Sequence, residues 1–235
     1  MLEQVDLKLS IKKSEYKKLI EPLGYRLDEL ERLCRFNGIP IVVVFEGWEA
    51  SGKGSCINRL MRAIDPRNFK VHYFHIMSRE ELLRPYLWRF AIRVPSRGFM
   101  SIFDRSWYQR VLEDRIEEKI PDYIWRDTYY EIETFERQLI DDGYVLIKFW
   151  LHISREEQKR RFKKMEKDPM EAWKITPDDW QQHLKYSEYC FAIEEMLQKT
   201  STSKAPWTII EAEDKYFAWL KIFETLRYAM ENALA

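Results

Sequence analysis

A glycine-bounded segment that carries a lysine, residues 47–54, could bind phosphate. It reads Gly-Trp-Glu-Ala-Ser-Gly-Lys-Gly and lies between an apolar run, residues 41–45, and a segment with helical spacing, residues 55–64. Glycines let the backbone turn its N–H groups towards an anion, and the following helix points its positive end at that anion. Strand, lysine-bearing loop and helix together predict a phosphate-binding P-loop in which Lys53 reaches the phosphoryl group being transferred.

The loop departs from the common pattern G-x-x-x-x-G-K-[ST] at its last position. Gly54 removes the hydroxyl that usually holds Mg²⁺, and Ser55 would be rotated by about 100° on a helix. Glu49, a carboxylate inside the loop, therefore becomes a candidate metal ligand. A chance glycine turn is the alternative, but the strand before and the helix after argue against it. The loop residues expected to contact phosphate are Gly47, Ala50, Ser51, Gly52, Gly54 and Ser55.

A second candidate group follows the apolar segment 99–103. Asp104 comes directly after this segment, and P-loop enzymes use an acid beside the loop to hold Mg²⁺. Arg105 and Arg110 follow, and a guanidinium group binds phosphate oxygens in a fork. The alternative is that Asp104 caps the next helix. An acid at a strand end followed by arginines favours the metal role.

An acid-free basic segment, residues 84–97, could guide a polyanion. Arg84, Arg89 and Arg93 lie in it together with Arg97, and the last three are spaced by four residues. This spacing predicts that they share one helix face until Pro95 interrupts it. Aromatic residues lie between the arginines, a pattern that also suits single-stranded nucleic acid, although packing into the core is the simpler interpretation.

A second basic segment, residues 155–167, carries seven basic and three acidic residues. Ser154 and Glu157 have the spacing of a capping box at its start. Its position after a predicted strand matches the helix that closes over the phosphates in nucleotide kinases. The segment thus predicts a helical lid, with an ordinary charged surface helix as the alternative.

Composition excludes some classes of protein. The 235 residues include 39 basic and 39 acidic side chains, so no bulk attraction to nucleic acid or to a membrane is expected. Cys34, Cys56 and Cys190 are far apart and have no metal-ligand spacing, which predicts free thiols in a reducing compartment. We see no secretory signal and no apolar stretch that could span a bilayer, and expect a cytoplasmic protein.

The order of elements predicts one α/β domain. Strands alternate with helical segments, which indicates a parallel five-stranded sheet with helices on both faces. A helix over Lys12–Phe36 is predicted, with one apolar face formed by Leu19, Leu23, Leu27, Leu30 and Leu33. The predicted strands are Ile39–Phe45, Lys70–Met77, Phe99–Phe103, Tyr144–Ile153 and Trp207–Glu211. We assign an arm and helix to about 1–37, a P-loop core to 38–153 and 205–235, and the lid to about 154–180.

The histidines offer no catalytic arrangement. His72 and His75 lie in the second predicted strand and would point to opposite faces of the sheet. We assign no histidine a catalytic role. Trp48 lies inside the loop, where it could line the site or plug the loop against the core.

Seven sequence segments, in this order, resemble the polyphosphate kinase type 2 family. The sequences of these segments are most similar to those of the branch of polyphosphate:AMP phosphotransferases. The segments are Phe45–Gly54, Arg84–Phe90, Phe103–Tyr108, Ile153–Phe162, Asp168–Pro169, Trp173–Lys174 and Ala205–Thr208.

The resemblance implies a thymidylate-kinase-like P-loop fold with a helical lid, and phosphoryl transfer that depends on Mg²⁺ or Mn²⁺. The donor would be inorganic polyphosphate and the acceptor an adenine nucleotide, with AMP converted to ADP. By the same analogy the chain self-associates into a homo-oligomer. The family usually has Asp at position 49, and Glu49 is one methylene longer. The implied roles are catalysis by Lys53, Asp104 and Arg105, metal binding by Asp104 and Glu49, phosphate binding by Arg110, Arg160 and Arg161, and a polyphosphate track along Arg84, Arg89 and Arg93.

Three other functions stay open at this point. The chain could phosphorylate ADP or GDP to the triphosphate, it could be an ATP-dependent small-molecule kinase, or it could bind polyphosphate without catalysis. The missing hydroxyl at Gly54 argues against the second function. An inactive copy would be expected to lose Lys53, Asp104 or the lid arginines, and all are present.

Overall fold

A computed structural model, which describes residues 1–74 and 76–235, shows a five-stranded parallel sheet with helices on both sides. The strands lie in the order β2-β3-β1-β4-β5. The predicted α/β fold class is therefore confirmed, while the prediction for His75 lies outside the described residues. The strands are β1 (Ile41–Gly47), β2 (Phe69–Tyr73), β3 (Met100–Asp104), β4 (Val145–His152) and β5 (Trp207–Glu211).

The connections between the strands are helical. A 3₁₀ helix covers Trp107–Val111, two residues after β3, and shorter ones cover Leu2–Gln4 and Ala172–Lys174. The α-helices are α1 (Lys13–Phe36), α2 (Lys53–Met61), α3 (Arg79–Leu82), α4 (Trp88–Ala91), α5 (Glu113–Ile116), α6 (Asp122–Asp141), α7 (Arg155–Glu166), α8 (Pro177–Leu184), α9 (Tyr186–Thr200) and α10 (Lys215–Leu234).

Strand β1 lies in the middle of the sheet, and its position determines where the loop that follows it emerges. Its residues 41–46 are all buried, as an unbroken apolar strand in a parallel sheet should be. In the ladder Phe45 is aligned with Asp104 of β3, and Gly47 with Leu151 of β4. Because the strands are parallel, the loop after β1 and the acid at the end of β3 emerge at the same edge of the sheet.

Two sequence-based predictions of detail are wrong. The second strand was predicted to reach Met77, but β2 ends at Tyr73, which is aligned with Asp104, the last residue of β3. Beyond that pair the neighbouring strand offers no further ladder partner. In α1, Leu19 and Leu33 are exposed, because the buried stripe runs instead through Tyr16, Ile20, Leu23, Leu27, Leu30 and Cys34.

The buried stripe of α1 packs on α10 of the same chain. Tyr16 contacts Tyr216 with ring centroids 4.7 Å apart, and Arg26 donates to Glu231. This apolar face is therefore covered and does not support the predicted self-association, which stays a prediction. Within residues 1–74 and 76–235, no helix has the length and apolar character needed to cross a membrane.

Candidate active site

The backbone of the loop adopts conformations that explain its glycines. Gly47 has φ +150°, and a Cβ there would lie 2.6 Å from the carbonyl oxygen of Leu151, so no side chain fits. Gly52 has φ +101° and immediately precedes α2. Ala50 has φ +59°, a left-handed conformation that is uncommon for a residue with a side chain. The loop is thus held in one strained shape, as at many ligand sites.

Lys53 begins α2 and folds back over the loop. Its Nζ donates to the carbonyl oxygens of Gly47 at 2.7 Å and Trp48 at 3.1 Å, and lies 3.4 Å from a carboxylate oxygen of Glu49. Gly54 and Ser55 occupy the first turn of α2, where backbone N–H groups have no partner within the helix. An anion in the loop would meet these N–H groups and the Lys53 ammonium together.

Asp104, at the end of β3, has a buried carboxylate oxygen. Its Oδ1 is buried and makes no hydrogen bond with the part of the chain that is described. Burial raises the pKa of this carboxyl above its ordinary value, although Lys53 and Arg105 counteract the rise. Asp104 is the last residue of β3 rather than a helix cap. A buried, partnerless carboxylate oxygen beside a phosphate-binding loop is suited to a cation.

Arg105 lies between two carboxylates. Its Nη2 is 2.6 Å from Glu49 Oε1, and its Nη1 is 3.2 Å from Glu113 Oε1. Burial alone would lower the pKa of this guanidinium, but Glu49 and Glu113 raise it above its ordinary value. Its backbone has φ +63°, and its N–H donates to the carbonyl oxygen of Phe45. The same Glu49 carboxylate therefore bridges Lys53 and Arg105.

Arg110 lies against an aromatic ring. Its guanidinium carbon is 3.8 Å from the centroid of the Tyr86 ring, and the Tyr86 hydroxyl donates to the carbonyl oxygen of Trp107. The Nε of Arg110 is buried and has no hydrogen-bond partner among the described residues. The stacking holds the guanidinium in place, while an unpaired donor is left for a ligand.

Helix α7, the predicted lid helix, is attached to the loop through Arg161. Its guanidinium donates to the carbonyl oxygens of Ala50 and Ser51, each at 3.0 Å, and to those of Ala212 and Glu213 at 2.6 and 3.1 Å. The predicted phosphate ligand Arg161 thus joins the loop to the segment after β5. Closure of α7 over phosphate remains a prediction.

The predicted capping box at the start of α7 is only half formed. The Ser154 hydroxyl accepts from the backbone N–H of Glu157, as predicted, but the Ser154 N–H donates to Glu213. The Glu157 carboxylate binds Arg160 and Arg161 instead. Because the Glu213 carboxylate satisfies the Ser154 N–H, the Glu157 carboxylate is not needed for the cap and pairs with both arginines.

The predicted polyphosphate track does not form one solvent-facing stripe. Arg89 is only 4% exposed and lies, with Arg93, beside the carboxylate of Glu81. Arg84 is exposed and pairs with Glu80. The predicted long helix face is wrong, since α4 has four residues and ends at Ala91. Burial lowers the pKa of Arg89, which indicates a structural position within the core.

Trp48 plugs the loop against the core. It is buried, its Nε1 donates to Nδ1 of His152 at 3.0 Å, and its ring stacks on Tyr186 with centroids 4.1 Å apart. Burial lowers the pKa of His152 to about 4, so this histidine is neutral and can accept the bond. The second of the two interpretations of Trp48 therefore fits the structure.

Three acids that contact predicted site residues or lie beneath the loop were missed by sequence reasoning. Glu113 pairs with Arg105, Glu81 neutralises Arg89 and Arg93, and Glu46 is buried beneath the loop with its Oε1 accepting from the Ser106 hydroxyl at 2.8 Å. Only Glu46 had a local signal, because it is an acid inside an apolar strand. The other two are recognised only once the chain is folded.

Glu46 should make stability depend on pH. Burial raises its pKa from 4.5 to about 7. Because the native state holds this proton more tightly than the unfolded state, the free energy of unfolding falls as pH rises between about 4.5 and 7. We expect Glu46→Gln, which can still accept from Ser106, to remove up to about 3 kcal/mol of this pH dependence. Urea unfolding at a series of pH values measures it.

The exposed Glu131→Gln in α6 is the control for this prediction. Its carboxylate is solvated, so this variant should keep the pH dependence of the wild type. Parallel stability curves for Glu46→Gln and the wild type would show that Glu46 is not the group responsible.

Glu49 of the loop and Asp104 of β3 suit a metal ion that is also bound by a substrate. Nowhere in the described chain do three or more His, Cys, Asp or Glu side chains form a group that could hold a metal by themselves. Mg²⁺ in phosphoryl-transfer sites is usually bound by one or two carboxylates, by phosphate oxygens and by water. Asp104, with its partnerless Oδ1, and nearby Glu49 fit that chemistry.

The strand order, the loop after the central strand and the acid at the end of the neighbouring strand define a P-loop kinase-like protein. The family model of Polyphosphate kinase 2 (PPK2) matches residues 10–235, and the chain belongs to this family. The resemblance seen in the sequence is thereby confirmed.

Named relatives agree with the family. The chain is 41% identical over 235 residues to a polyphosphate:AMP phosphotransferase of Pseudomonas syringae pv. tomato, covering 100% of this chain and 47% of the relative. It is 42% identical over 233 residues to one of Pseudomonas aeruginosa, covering 99% and 47%. The crystal structure of polyphosphate kinase 2 from Arthrobacter aurescens TC1 matches with a TM-score of 0.94 and 28% identity, covering 99% of this chain and 85% of that one. The chain spans about half the length of the two phosphotransferases.

Proposed function

We propose that the chain transfers the terminal phosphoryl group of inorganic polyphosphate to AMP in a Mg²⁺-dependent reaction. A phosphate oxygen of AMP forms the new bond to phosphorus, the bond to the adjacent bridging oxygen breaks, and the products are ADP and a polyphosphate one unit shorter. The names of the relatives at 41% and 42% identity support this acceptor and this donor.

The observation that carries the proposal is the assembly of Lys53, Asp104 and Arg105 at one edge of the sheet. Phosphoryl transfer asks the protein mainly to position two phosphates and to stabilise charge. Lys53 and the N–H groups at the start of α2 are suited to bind the phosphoryl group that is transferred. Arg105 and Arg110 are suited to the phosphate of the acceptor. Asp104, with Glu49, would hold Mg²⁺, which neutralises charge on the phosphoryl oxygens when bound.

Substrate binding requires the charged side chains of the site to change partners. Arg105 is paired with Glu49 and Glu113, and Lys53 contacts the loop carbonyls and Glu49. A phosphate entering between these groups would replace a carboxylate as the partner of Arg105, which would leave Glu49 available to a cation. The cations of the site thus stay neutralised before the substrates arrive.

The test is product formation from AMP, long-chain polyphosphate and Mg²⁺ without ATP, with ADP as a parallel acceptor. ADP formed from AMP would support both donor and acceptor. ATP formed from ADP, with no product from AMP, would reject AMP as the acceptor. A folded protein that transfers from ATP but not from polyphosphate would overturn the proposal, as would one that forms no product.

A further inference from the structure

Two cavities share Trp219 in their lining, one of them lies next to the loop, and neither is lined by Asp104 or Arg105. The first, of about 510 Å³, is bordered by the loop, the start of α2, α7 and the segment after β5; we call it the loop cavity. The second, of about 710 Å³, lies between α1, α2 and α10; we call it the helix cavity. Trp219 lines both cavities, which are therefore neighbours at this residue.

One face of α2 leads from the loop cavity into the helix cavity. Ser55, Arg59 and Arg62 are spaced by four and three residues, which places them on the same side of the helix. Ser55 lines the loop cavity, and Arg59 and Arg62 line the helix cavity. From Ser55 to Arg62 the helix rises by about 10 Å. This face therefore carries positive charge away from the phosphate-binding loop.

Several cations along this path lack acidic partners within the described chain, although Arg160 and Arg161 of the loop cavity pair with Glu157. Lys17, Arg62 and Lys164 line the cavities and form no ion pair with the residues that the structure describes. Among the acids of the lining, Asp28 pairs with Arg32 and Glu171 with Lys174.

The two acids that follow β5 are also engaged. Asp214 accepts from the Phe217 N–H at the start of α10, and Glu213 accepts from the Ser154 N–H. Both carboxylates keep their charge, because a backbone N–H is neutral. The linings of the two cavities together carry seven basic and five acidic side chains, a modest positive excess that favours a polyanion.

We infer that the helix cavity binds phosphate units of the polyphosphate donor that lie well beyond the unit being transferred. This inference rests on the proposed function. It replaces the predicted track along Arg84, Arg89 and Arg93, whose charges are largely committed to Glu80 and Glu81. A donor with few units ends within the loop cavity, so the helix cavity makes the enzyme discriminate between donors by chain length.

The experiment compares long-chain polyphosphate with tripolyphosphate as donors for the variant Lys17→Ala/Arg62→Ala. Both side chains are exposed, so the fold should be kept. We expect the KM for the long chain to rise about threefold to tenfold, and the KM for tripolyphosphate to change much less. The slope of log KM against log salt for the long chain should fall by about one for each lost contact, which a structural effect would not produce.

Two further variants provide a matched control and the opposite change of charge. Lys18→Ala removes an exposed lysine next to Lys17 that lines neither cavity, and should leave both KM values unchanged. Glu21→Lys adds a positive charge to the helix cavity and should lower the KM for the long chain alone.

An unchanged ratio of the two KM values in Lys17→Ala/Arg62→Ala would overturn the inference while leaving the proposed function intact. If the wild type transfers from no polyphosphate, the proposed function fails. In that case calorimetric titration with long-chain polyphosphate still decides the inference: weaker binding by the variant than by Lys18→Ala supports it, and equal binding rejects it.

Discussion

Asp104→Asn is expected to lower kcat for ADP formation from AMP and polyphosphate by about 10²- to 10³-fold, with no loss of thermal stability. Asparagine keeps the size of the side chain but removes the charge that would hold a cation beside the transferred phosphoryl group. The native fold should tolerate the change, because burial already disfavours the charged form of this carboxyl group. Steady-state kinetics at saturating Mg²⁺ and the midpoint of thermal unfolding provide the measurements.

Two other variants serve as a second test and as a control for this prediction. Lys53→Ala should cause a comparable loss, because it removes the ammonium that lies over the loop. Asp141→Asn, an exposed aspartate at the end of α6, should turn over like the wild type. Near-normal turnover of Asp104→Asn or Lys53→Ala would show that the residue does not have the role assigned to it.

Lys148→Met should destabilise the protein by about 3–5 kcal/mol. Lys148 in β4 is completely buried, and its Nζ donates to Glu136 at 2.7 Å and to the carbonyl oxygen of Thr200 at 2.7 Å. Glu136, which is 3% exposed, also accepts from Trp107 and Tyr108. Removing the ammonium would leave a buried carboxylate without its counter-charge. Guanidinium unfolding of the variant and the wild type tests this.

The control is Lys204→Met, which removes an exposed lysine whose nearest carboxylate, on Asp141, is 3.6 Å away. It should change the free energy of unfolding by less than about 1 kcal/mol. Adding Glu136→Gln to Lys148→Met should recover part of the loss, since glutamine is neutral and can still accept from Trp107. A loss of under about 1 kcal/mol in Lys148→Met would contradict the importance given to this ion pair.

The sheet and the loop could be predicted from the sequence because their signals are local. An apolar run followed by glycines and a lysine specifies strand, loop and helix within some 20 residues, and β5 was predicted with its observed bounds. Asp104 was found for the same reason, since it ends an apolar strand. The parallel arrangement then places both groups at one edge of the sheet.

The pairing of charges could not be predicted, because it depends on residues far apart in the chain. Arg89 looks like a surface arginine in the sequence, yet folding buries it beside Glu81. Arg105 meets Glu49, which is 56 positions away, and Glu113, which carries no distinguishing pattern. Sequence spacing identifies candidate phosphate ligands, but it does not tell which of them a carboxylate already neutralises.

The alignment of Gly47 with Leu151 has a consequence for how the protein can be assayed. The shape of the loop depends on the pairing of β1 with strands that begin at residues 100 and 145, so an unfolded chain has no preformed site for a phosphate chain. A ligand that binds only the native state stabilises it, by about 2.7 kcal/mol at 100 times its Kd. A shift of the melting temperature on adding polyphosphate would therefore report binding even in variants that have lost all turnover.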